Sequence, residues 1–459
     1  MGSIPTTPAI KVSFYKLTNK HDLIIIYLII QKDYLKQSYF IFNIYKMINN
    51  SKLENTDPEI SKLIKEEGKR QIETIRLIAS ENYISKAVME ATGSILLNKY
   101  SEGYPGKRYY EGQEYIDQIE NIAINRAKKL FNTDYHFNVQ PYSGSPANFA
   151  AINALCSPGD VIMGLELSSG GHMTHGYKLS LTGKIFNSIQ YQVDSKTNLL
   201  DFEEIYSMAK KSKPKLIIAG FSAYPREFDF KEFKKIADDV GAYLMADIAH
   251  ISGLVAGGVH NSPFGVADII TSTTHKSLRG PRGAFIACKD EFSKKVDKTI
   301  IPGLQGGPHN NTTAAMAVAF LEASQPEFKI YAQQIVKNAK ALSNELIDLG
   351  YDLITGGTSN HLILINMIKS KNITGKEASS ALIKANIECN ANTIPFDKNG
   401  PLNPSGIRIG TPAITTIGMK EHDMRTIALF IDKAIKNYNN DKKLLEIKND
   451  VINFMRKFN

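Results

Sequence analysis

Lys276 is the strongest candidate for covalent chemistry in this sequence. It stands in Thr271-Ser272-Thr273-Thr274-His275-Lys276-Ser277-Leu278-Arg279-Gly280, after an apolar run and before the turn Gly280-Pro281-Arg282-Gly283. A lysine just past a strand end lies where open α/β sheets place their ligands. Burial beside cationic neighbours would strip its ammonium of proton affinity and leave a nucleophilic amine, whose natural use is a Schiff base to an aldehyde. Taken alone, such a lysine is far more often a solvated loop residue.

Three further features change that balance. Ala246-Asp247-Ile248-Ala249-His250 closes an apolar run, with Asp247 and His250 three residues apart. A strand-end carboxylate could pair with a protonated ring nitrogen of pyridoxal phosphate and keep the ring an electron sink. Tyr142-Ser143-Gly144-Ser145-Pro146-Ala147-Asn148 is a small-residue loop feeding a helix. Its backbone N–H groups, hydroxyls and helix N-terminus would make an anion cradle. His172, in Ser168-Ser169-Gly170-Gly171-His172, follows another apolar run and could stack on a cofactor ring or merely cap its loop. Phosphate cradle, strand-end Asp and then Lys, in that order, is what a pyridoxal-phosphate site on an α/β sheet requires.

Elements must hold these residues in place. Apolar runs at Val161–Leu165, Lys215–Phe221, Ala242–Ile248, Asp268–Thr273 and Ala284–Cys288 alternate with helical stretches such as Pro146–Cys156 and Lys231–Val240. Short buried strands alternating with helices predict an α/β domain with a mostly parallel sheet. A long helix after Gln325-Pro326, to about Leu349, leads into a smaller αβ region with strands near His361–Met367 and Gly406–Gly410. Asp57-Pro58-Glu59 opens an amphipathic helix to about Glu73, with Asp57 as N-cap. The expected organisation is an extension over 1–46, an arm over 47–75, a large domain over 76–325 and a small C-terminal domain over 326–459.

At 459 residues, 43% hydrophobic and 22% charged, the chain can bury sizeable cores, more than one domain's worth. A formal charge of +9 invites a nucleic-acid reading, but no Arg-rich stripe or binding-module signature supports dedicated nucleic-acid binding. Cys156, Cys288 and Cys389 are far apart, so neither a metal site nor a disulfide framework is expected. Residues 1–46 carry six Lys, two Asp, no Arg and no Glu, and their longest apolar run, Leu23–Ile30, is too short to span a bilayer as a helix. Met-Gly-Ser-Ile-Pro-Thr loosely fits a myristoylation pattern at Gly2. A dispensable extension with Met47 as an alternative start is the favoured reading, and an organellar address the second. The expected compartment is accordingly the cytoplasm, or an organelle if the extension is a targeting signal.

The chain also resembles a known family. Leu77-Ile78-Ala79-Ser80-Glu81-Asn82-Tyr83 and Asn98-Lys99-Tyr100-Ser101-Glu102-Gly103-Tyr104-Pro105-Gly106-Lys107-Arg108-Tyr109-Tyr110 look like signatures of serine hydroxymethyltransferases. So do the Ser-Gly-Ser loop, Gly171-His172, Asp247–His250, Thr274-His275-Lys276, Gln305-Gly306-Gly307-Pro308 and Ser405-Gly406-Ile407-Arg408-Ile409-Gly410-Thr411. The likeness runs from about 55 to about 435. Pro146 departs from it, standing where members usually carry Gln or Ala, and residues 1–46 have no counterpart in the shorter, bacterial-type members.

The resemblance implies the fold type I architecture of pyridoxal-phosphate enzymes: a large domain on a mostly parallel seven-stranded sheet, plus a smaller αβ domain. It implies transfer of the serine hydroxymethyl carbon to tetrahydrofolate, with pyridoxal phosphate held by Lys276. By the same likeness Asp247 pairs with the pyridine nitrogen, His172 stacks on the ring, and His250 bonds the phenolic oxygen with Ser222 nearby. Ser143, Gly144, Ser145 and His275 hold the phosphate, joined by Gly306 and Gly307 of a partner subunit. Arg408 and Ser80 take the substrate carboxylate, and Arg282 steadies the site. Glu102 handles protons, Tyr100 and Tyr110 come from the neighbouring subunit, Tyr109 stacks on the pterin, and Leu167, Gly171 and Asn392 line the folate pocket. A homodimer or dimer of dimers follows, with serine, glycine and tetrahydrofolate as small-molecule partners. A threonine-aldolase-like enzyme without folate dependence, or a non-catalytic cofactor-holding or nucleic-acid-binding protein, are the rival readings.

Overall fold

The computed structural model of the protein describes residues 51–458. The apolar run Leu23–Ile30, the pattern at Gly2 and the alternative start at Met47 lie outside the described residues. The described residues divide into two units, one ending at Arg70 and the other beginning at Gln71. In the first, helix α1 (Pro58–Ile72) begins where Pro58 suits a first turn, and Asp57 caps it by accepting the Ile60 N–H at 3.0 Å.

The second unit is built on a seven-stranded sheet. Its strands are β1 (His136–Asn138), β2 (Val161–Leu165), β3 (Asn187–Tyr191), β4 (Leu216–Ala219), β5 (Tyr243–Asp247), β6 (Ile269–Thr273) and β7 (Ala284–Cys288). They lie in the order β1-β7-β6-β5-β4-β2-β3. The neighbours from β6 across to β3 are parallel, whereas β7 runs antiparallel to both β6 and β1. The Gly280–Gly283 turn returns the chain directly beside β6, and so short a connection can only join antiparallel strands. Strand order reverses between β2 and β4, which opens a crevice at the carboxyl ends of these strands.

Two cores cover the sheet, one on each face. Along the central strands Leu216, Ile218, Met245 and Ile269 join the core of Ala147, Ala150 and Ala151 from helix α2 (Gly144–Leu155). Their alternates Ile217, Ala219, Leu244, Ala246 and Ile270 join the core of Phe233, Ile236 and Ala237 from helix α3 (Phe230–Val240). The period of two, buried on both sides, is why these strands read as unbroken apolar runs. β4 stops at Ala219, short of the expected Phe221. A Cβ at Gly220 would stand 2.4 Å from the Asp247 carbonyl oxygen, so the chain passes close to β5 there and turns away.

A second sheet, ordered β8-β9-β11-β10, comprises β8 (Asp352–Leu353), β9 (Leu362–Asn366), β10 (Asn390–Asn392) and β11 (Gly406–Gly410), all pairs antiparallel. Its core includes Ile363, Ile365, Ile407 and Ile409. Helix α4 (Pro326–Asp348) serves both regions. Phe328, Tyr331, Ala332 and Ile335 pack in the large-sheet core, and Leu342 and Leu346 in the other. The segment Ile75–Arg76 pairs in parallel with Ile387–Glu388, and the Leu77 carbonyl accepts the Gly410 N–H at 2.7 Å. This stitches the stretch bearing Ser80 beside the strand bearing Arg408.

Candidate active site

Asp247 ends β5 and is buried. Its Oδ2 accepts from Asn148 Nδ2 at 2.8 Å and meets His175 Nε2 at 2.9 Å, while Oδ1 accepts the Ala249 N–H at 3.0 Å. Burial alone would raise its pKa, but the His175 hydrogen bond and charge, with Asn148 adding, hold it well below the usual carboxylate range. Asn148, on α2, also donates to Thr174 Oγ1 at 2.8 Å and accepts from Thr271 Oγ1 at 2.6 Å, which fixes its amide orientation. His172 Nδ1 lies 2.7 Å from Thr174 Oγ1, and burial, with His175 adding, lowers its pKa to about 4. The ring is therefore neutral near pH 7. Ligand atoms of His172, His175 and Asp247 come within 4.8 Å of one another, and each side chain already has a protein hydrogen-bond partner.

The loop that carries His172 depends on Gly171. A Cβ there would stand 1.9 Å from the Leu165 carbonyl oxygen, closer than any real contact. The Gly170 carbonyl accepts N–H groups from Ser222 at 2.7 Å and Ala223 at 3.1 Å, so the loops after β2 and β4 are tied together.

Lys276 follows β6 by three residues. Its Nζ donates to Thr273 Oγ1 at 3.0 Å. Burial lowers its pKa to about 8, with Arg408 and Arg282 adding and Asp247 opposing. These charges are thus close enough to act on one amine. The start of α2 abuts the same strand end: a Cβ on Gly144 would lie 2.8 Å from Thr273 Cγ2. Ser143, at the N-cap in extended conformation, makes no side-chain cap bond, which leaves the first N–H groups of a twelve-residue helix uncapped by that hydroxyl. His275 Nδ1 is buried without a partner, and burial, with Lys276 and Arg282 adding, lowers its pKa to about 3.

Arg408 lies on β11, opposite Leu364 of β9. One terminal nitrogen donates to the Ser222 carbonyl at 2.6 Å and the other to Asn390 Oδ1 at 2.9 Å, while Nε is buried and unpartnered. Burial lowers its pKa to about 10, still a cation at neutral pH. The resemblance implies a fork for a carboxylate; here two of the five guanidinium N–H donors already hold the chain's own acceptors. Ser80 follows Ala79, which packs under Gly410. Ser222 enters through its backbone: N–H to Gly170 and carbonyl to Arg408. His250 Nδ1 sits 3.3 Å from His361 Nε2, both buried.

Glu102, Tyr100, Tyr110, Gly306 and Gly307 form a second group. Tyr110 Oη donates to Glu102 at 3.4 Å, and the Tyr100 and Tyr110 rings meet edge-on, 5.6 Å between centroids. A Cβ on Gly306 would lie 3.0 Å from Glu102 Oε1, and one on Gly307 3.1 Å from the Tyr100 ring. Arg108, in ion pairs with Asp117 at 2.9 Å and Glu120 at 2.6 Å, anchors the segment. Among the described residues no side-chain hydrogen bond or ion pair joins Glu102 or Tyr100 to Lys276, Asp247 or Arg408. Tyr109 is 71% exposed. Leu167 lines a cavity of about 470 Å³ with Glu166, Tyr177, Lys178 and Thr393, and Asn392 Nδ2 donates to the Thr393 carbonyl at 2.7 Å.

The family model for serine hydroxymethyltransferase matches residues 53–431. The chain belongs to the serine hydroxymethyltransferase family. A serine hydroxymethyltransferase of Desulfotalea psychrophila is 57% identical over 406 residues, covering 88% of this chain and 95% of the relative. That of Acidothermus cellulolyticus is 59% identical over 382 residues, 83% and 89% of the two chains. That of Sorangium cellulosum is 54% identical over 406 residues, 88% and 96%. The serine hydroxymethyltransferase fold, type I among pyridoxal-phosphate enzymes, accounts for the mixed seven-stranded sheet.

Sequence reasoning missed the partners of its own candidates. His175, Thr174 and Asn390 went unremarked, Asn148 and Thr273 were quoted only as parts of longer motifs, and His361 only as a strand start. The one visible signal was His175, three residues after His172. Asn82, another quoted residue, donates to the Lys276 carbonyl at 2.9 Å and to Tyr331 Oη at 2.7 Å, and accepts from Thr416 Oγ1 at 2.6 Å.

Proposed function

We propose that this chain is the pyridoxal-phosphate enzyme that reversibly transfers the serine hydroxymethyl carbon to tetrahydrofolate, giving glycine and 5,10-methylenetetrahydrofolate. The observation that carries the reading is Lys276, a buried amine of lowered proton affinity beside an ionised buried Asp247. The residues fit pyridoxal phosphate. An anionic carboxylate suits a protonated pyridine nitrogen, the uncapped start of α2 suits a phosphate, and His275 Nδ1 and Arg408 Nε are buried polar atoms lacking partners in the protein.

Bound there, the cofactor would supply the electron sink for carbon–carbon cleavage at the substrate α-carbon. Lys276 would hold it, with Ser143, Gly144, Ser145 and His275 at the phosphate, Asp247 at the pyridine nitrogen, His172 on the ring and His250 at the phenolic oxygen. His175 and Asn148 keep Asp247 ionised and aimed. Arg408, with Ser80, takes the substrate carboxylate through donors left over from Ser222 and Asn390. Arg282 holds down the protonation of Lys276. Glu102 moves the proton between the serine hydroxyl and folate, while Tyr109, Leu167, Gly171 and Asn392 receive the folate.

Support for a site shared between subunits comes from the second group. Glu102, Tyr100, Tyr110, Gly306 and Gly307 gather on one chain, with no side-chain hydrogen bond or ion pair to Lys276 among the described residues, and Ile95, Leu97, Tyr109 and Tyr115, close to Tyr100 and Tyr110 in the sequence, are exposed. We infer a homodimer or dimer of dimers in which this group completes the partner's site. No described helix is long and apolar enough to cross a membrane. We propose a cytoplasmic location, with an organelle as the second reading should residues 1–46 act as a targeting signal. We retain the division into an arm, a large domain to about 325 and a small domain beyond it.

The test is spectroscopic. Protein given pyridoxal phosphate and glycine should show a cofactor band, and a strong longer-wavelength band only once tetrahydrofolate is added. A cofactor band indifferent to folate would favour an aldolase-type enzyme, and no cofactor band would remove Lys276 from its role.

A further inference from the structure

His361, immediately before β9, is fully buried and unassigned in the site above. Its Nε2 lies 3.3 Å from His250 Nδ1, with ring centroids 5.5 Å apart. Its other nitrogen, Nδ1, has no partner. The backbone on either side of this residue is held at several points. Its carbonyl accepts the Thr411 N–H at 3.0 Å, Thr358 Oγ1 donates to the Pro225 carbonyl at 3.0 Å, and Asn360 Nδ2 donates to the Tyr224 carbonyl at 3.0 Å. The segment is therefore clamped to the loop that follows Ser222.

Both imidazoles are neutral at pH 7. Burial, with Arg408 and Lys276 adding, lowers the pKa of each, that of His361 to about 3. One hydrogen is therefore shared across the 3.3 Å contact, and two arrangements exist. If His250 donates, His361 must carry its second hydrogen on the buried, unpartnered Nδ1. A buried N–H without an acceptor is rarer and costlier than an under-used acceptor nitrogen. If His361 donates, its Nδ1 is that bare acceptor.

We propose that His361 is a positioning residue whose Nε2–H donates to His250 Nδ1 and so fixes His250 as the Nε2–H tautomer, keeping a donor for the phenolic oxygen of the cofactor. The inference rests on the reading of His250 given under Proposed function. A hydrogen bond to the remote nitrogen sets which nitrogen of a histidine acts at the site.

The full-length chain with ¹⁵N-labelled histidine, read by long-range ¹H–¹⁵N NMR before pyridoxal phosphate is added, reports the tautomer directly. His250 protonated on Nε2 supports the proposal, and protonation on Nδ1 overturns it. In H361Q, which keeps a side-chain N–H donor, the tautomer should persist and the pyridoxal-phosphate dissociation constant stay within about threefold of the parent. In H361L it should be lost and the constant rise about tenfold. Unchanged tautomer and affinity in H361L would also overturn it. Should that variant fail to fold, the parent spectrum and H361Q still decide. A protein that takes up no pyridoxal phosphate would defeat the functional reading, whereas the parent tautomer would still settle the His361–His250 link.

Discussion

The Lys276 ammonium is buried near two guanidinium groups, so its free base is populated from about pH 8, where an ordinary lysine needs about 10.5. Only the free amine attacks an aldehyde. The rate at which the apoprotein captures pyridoxal phosphate should therefore climb through about pH 8 and level off above it, as stopped-flow absorbance would follow. Lys276→Ala should abolish reductive trapping of the cofactor and lower turnover by about 10³-fold or more. The same shift acts on stability with a definite sign. The unfolded chain binds more protons between the two pKa values, so the cost of burying this ammonium is full below about 8 and fades as pH rises toward 10.5. A urea series on the apoprotein across that window should show the parent gaining stability relative to Lys276→Met. At this scale the sequence displayed the groups that meet a cofactor, because a Lys past a strand and an Asp ending one are visible as pattern. It hid Asn148, His175 and His361, since their value lies in contacts 99, 72 and 111 residues away in the chain.

Elements carry these side chains through backbone approaches that admit nothing larger than hydrogen. Gly171 runs under the Leu165 carbonyl, so Gly171→Ala must push the His172 loop outward. A loss of about 1–3 kcal/mol in unfolding free energy is expected from such overpacking, together with weaker cofactor binding. Denaturant unfolding and cofactor titration would measure both. The central strands were legible because burial on both faces leaves long apolar runs, and the expected Val161–Leu165, Ala284–Cys288 and Gly406–Gly410 match their observed bounds. His136–Asn138, Asn187–Tyr191 and Asn390–Asn392 escaped notice. Each is an edge strand with polar residues, stabilised by pairing that only the folded sheet provides.

For the whole molecule, the decisive question is whether Glu102 and Lys276 of one chain serve the same site. If Glu102 completes the partner's site, two inactive proteins, Lys276→Ala and Glu102→Gln, should restore activity when unfolded together and refolded as a mixture. Random pairing would give about a quarter of the parent's specific activity, since half the dimers are mixed and each has one intact site. No recovery in mixtures shown to contain mixed dimers would place both residues in one chain's site. Leu97→Glu, at one of the exposed apolar residues near Tyr100, should shift the protein toward monomer in sedimentation and lower activity in proportion. Such a surface was legible in sequence only as a run of tyrosines; that they lie exposed is a property of the folded chain.

The parallel pairing of Ile75–Arg76 with Ile387–Glu388 bears on how the protein comes into being at the ribosome. The partner of Ile75 is made 312 residues after it, the interval from 75 to 387. The large sheet, whose strands span His136–Cys288, can assemble while synthesis continues. Ile75 and Leu77, wholly buried in the finished core, must wait in water until almost the entire chain has emerged. The first-made of the described strands thus finds its partner only late in synthesis, and a nascent chain cut short before residue 387 carries that apolar segment unpaired.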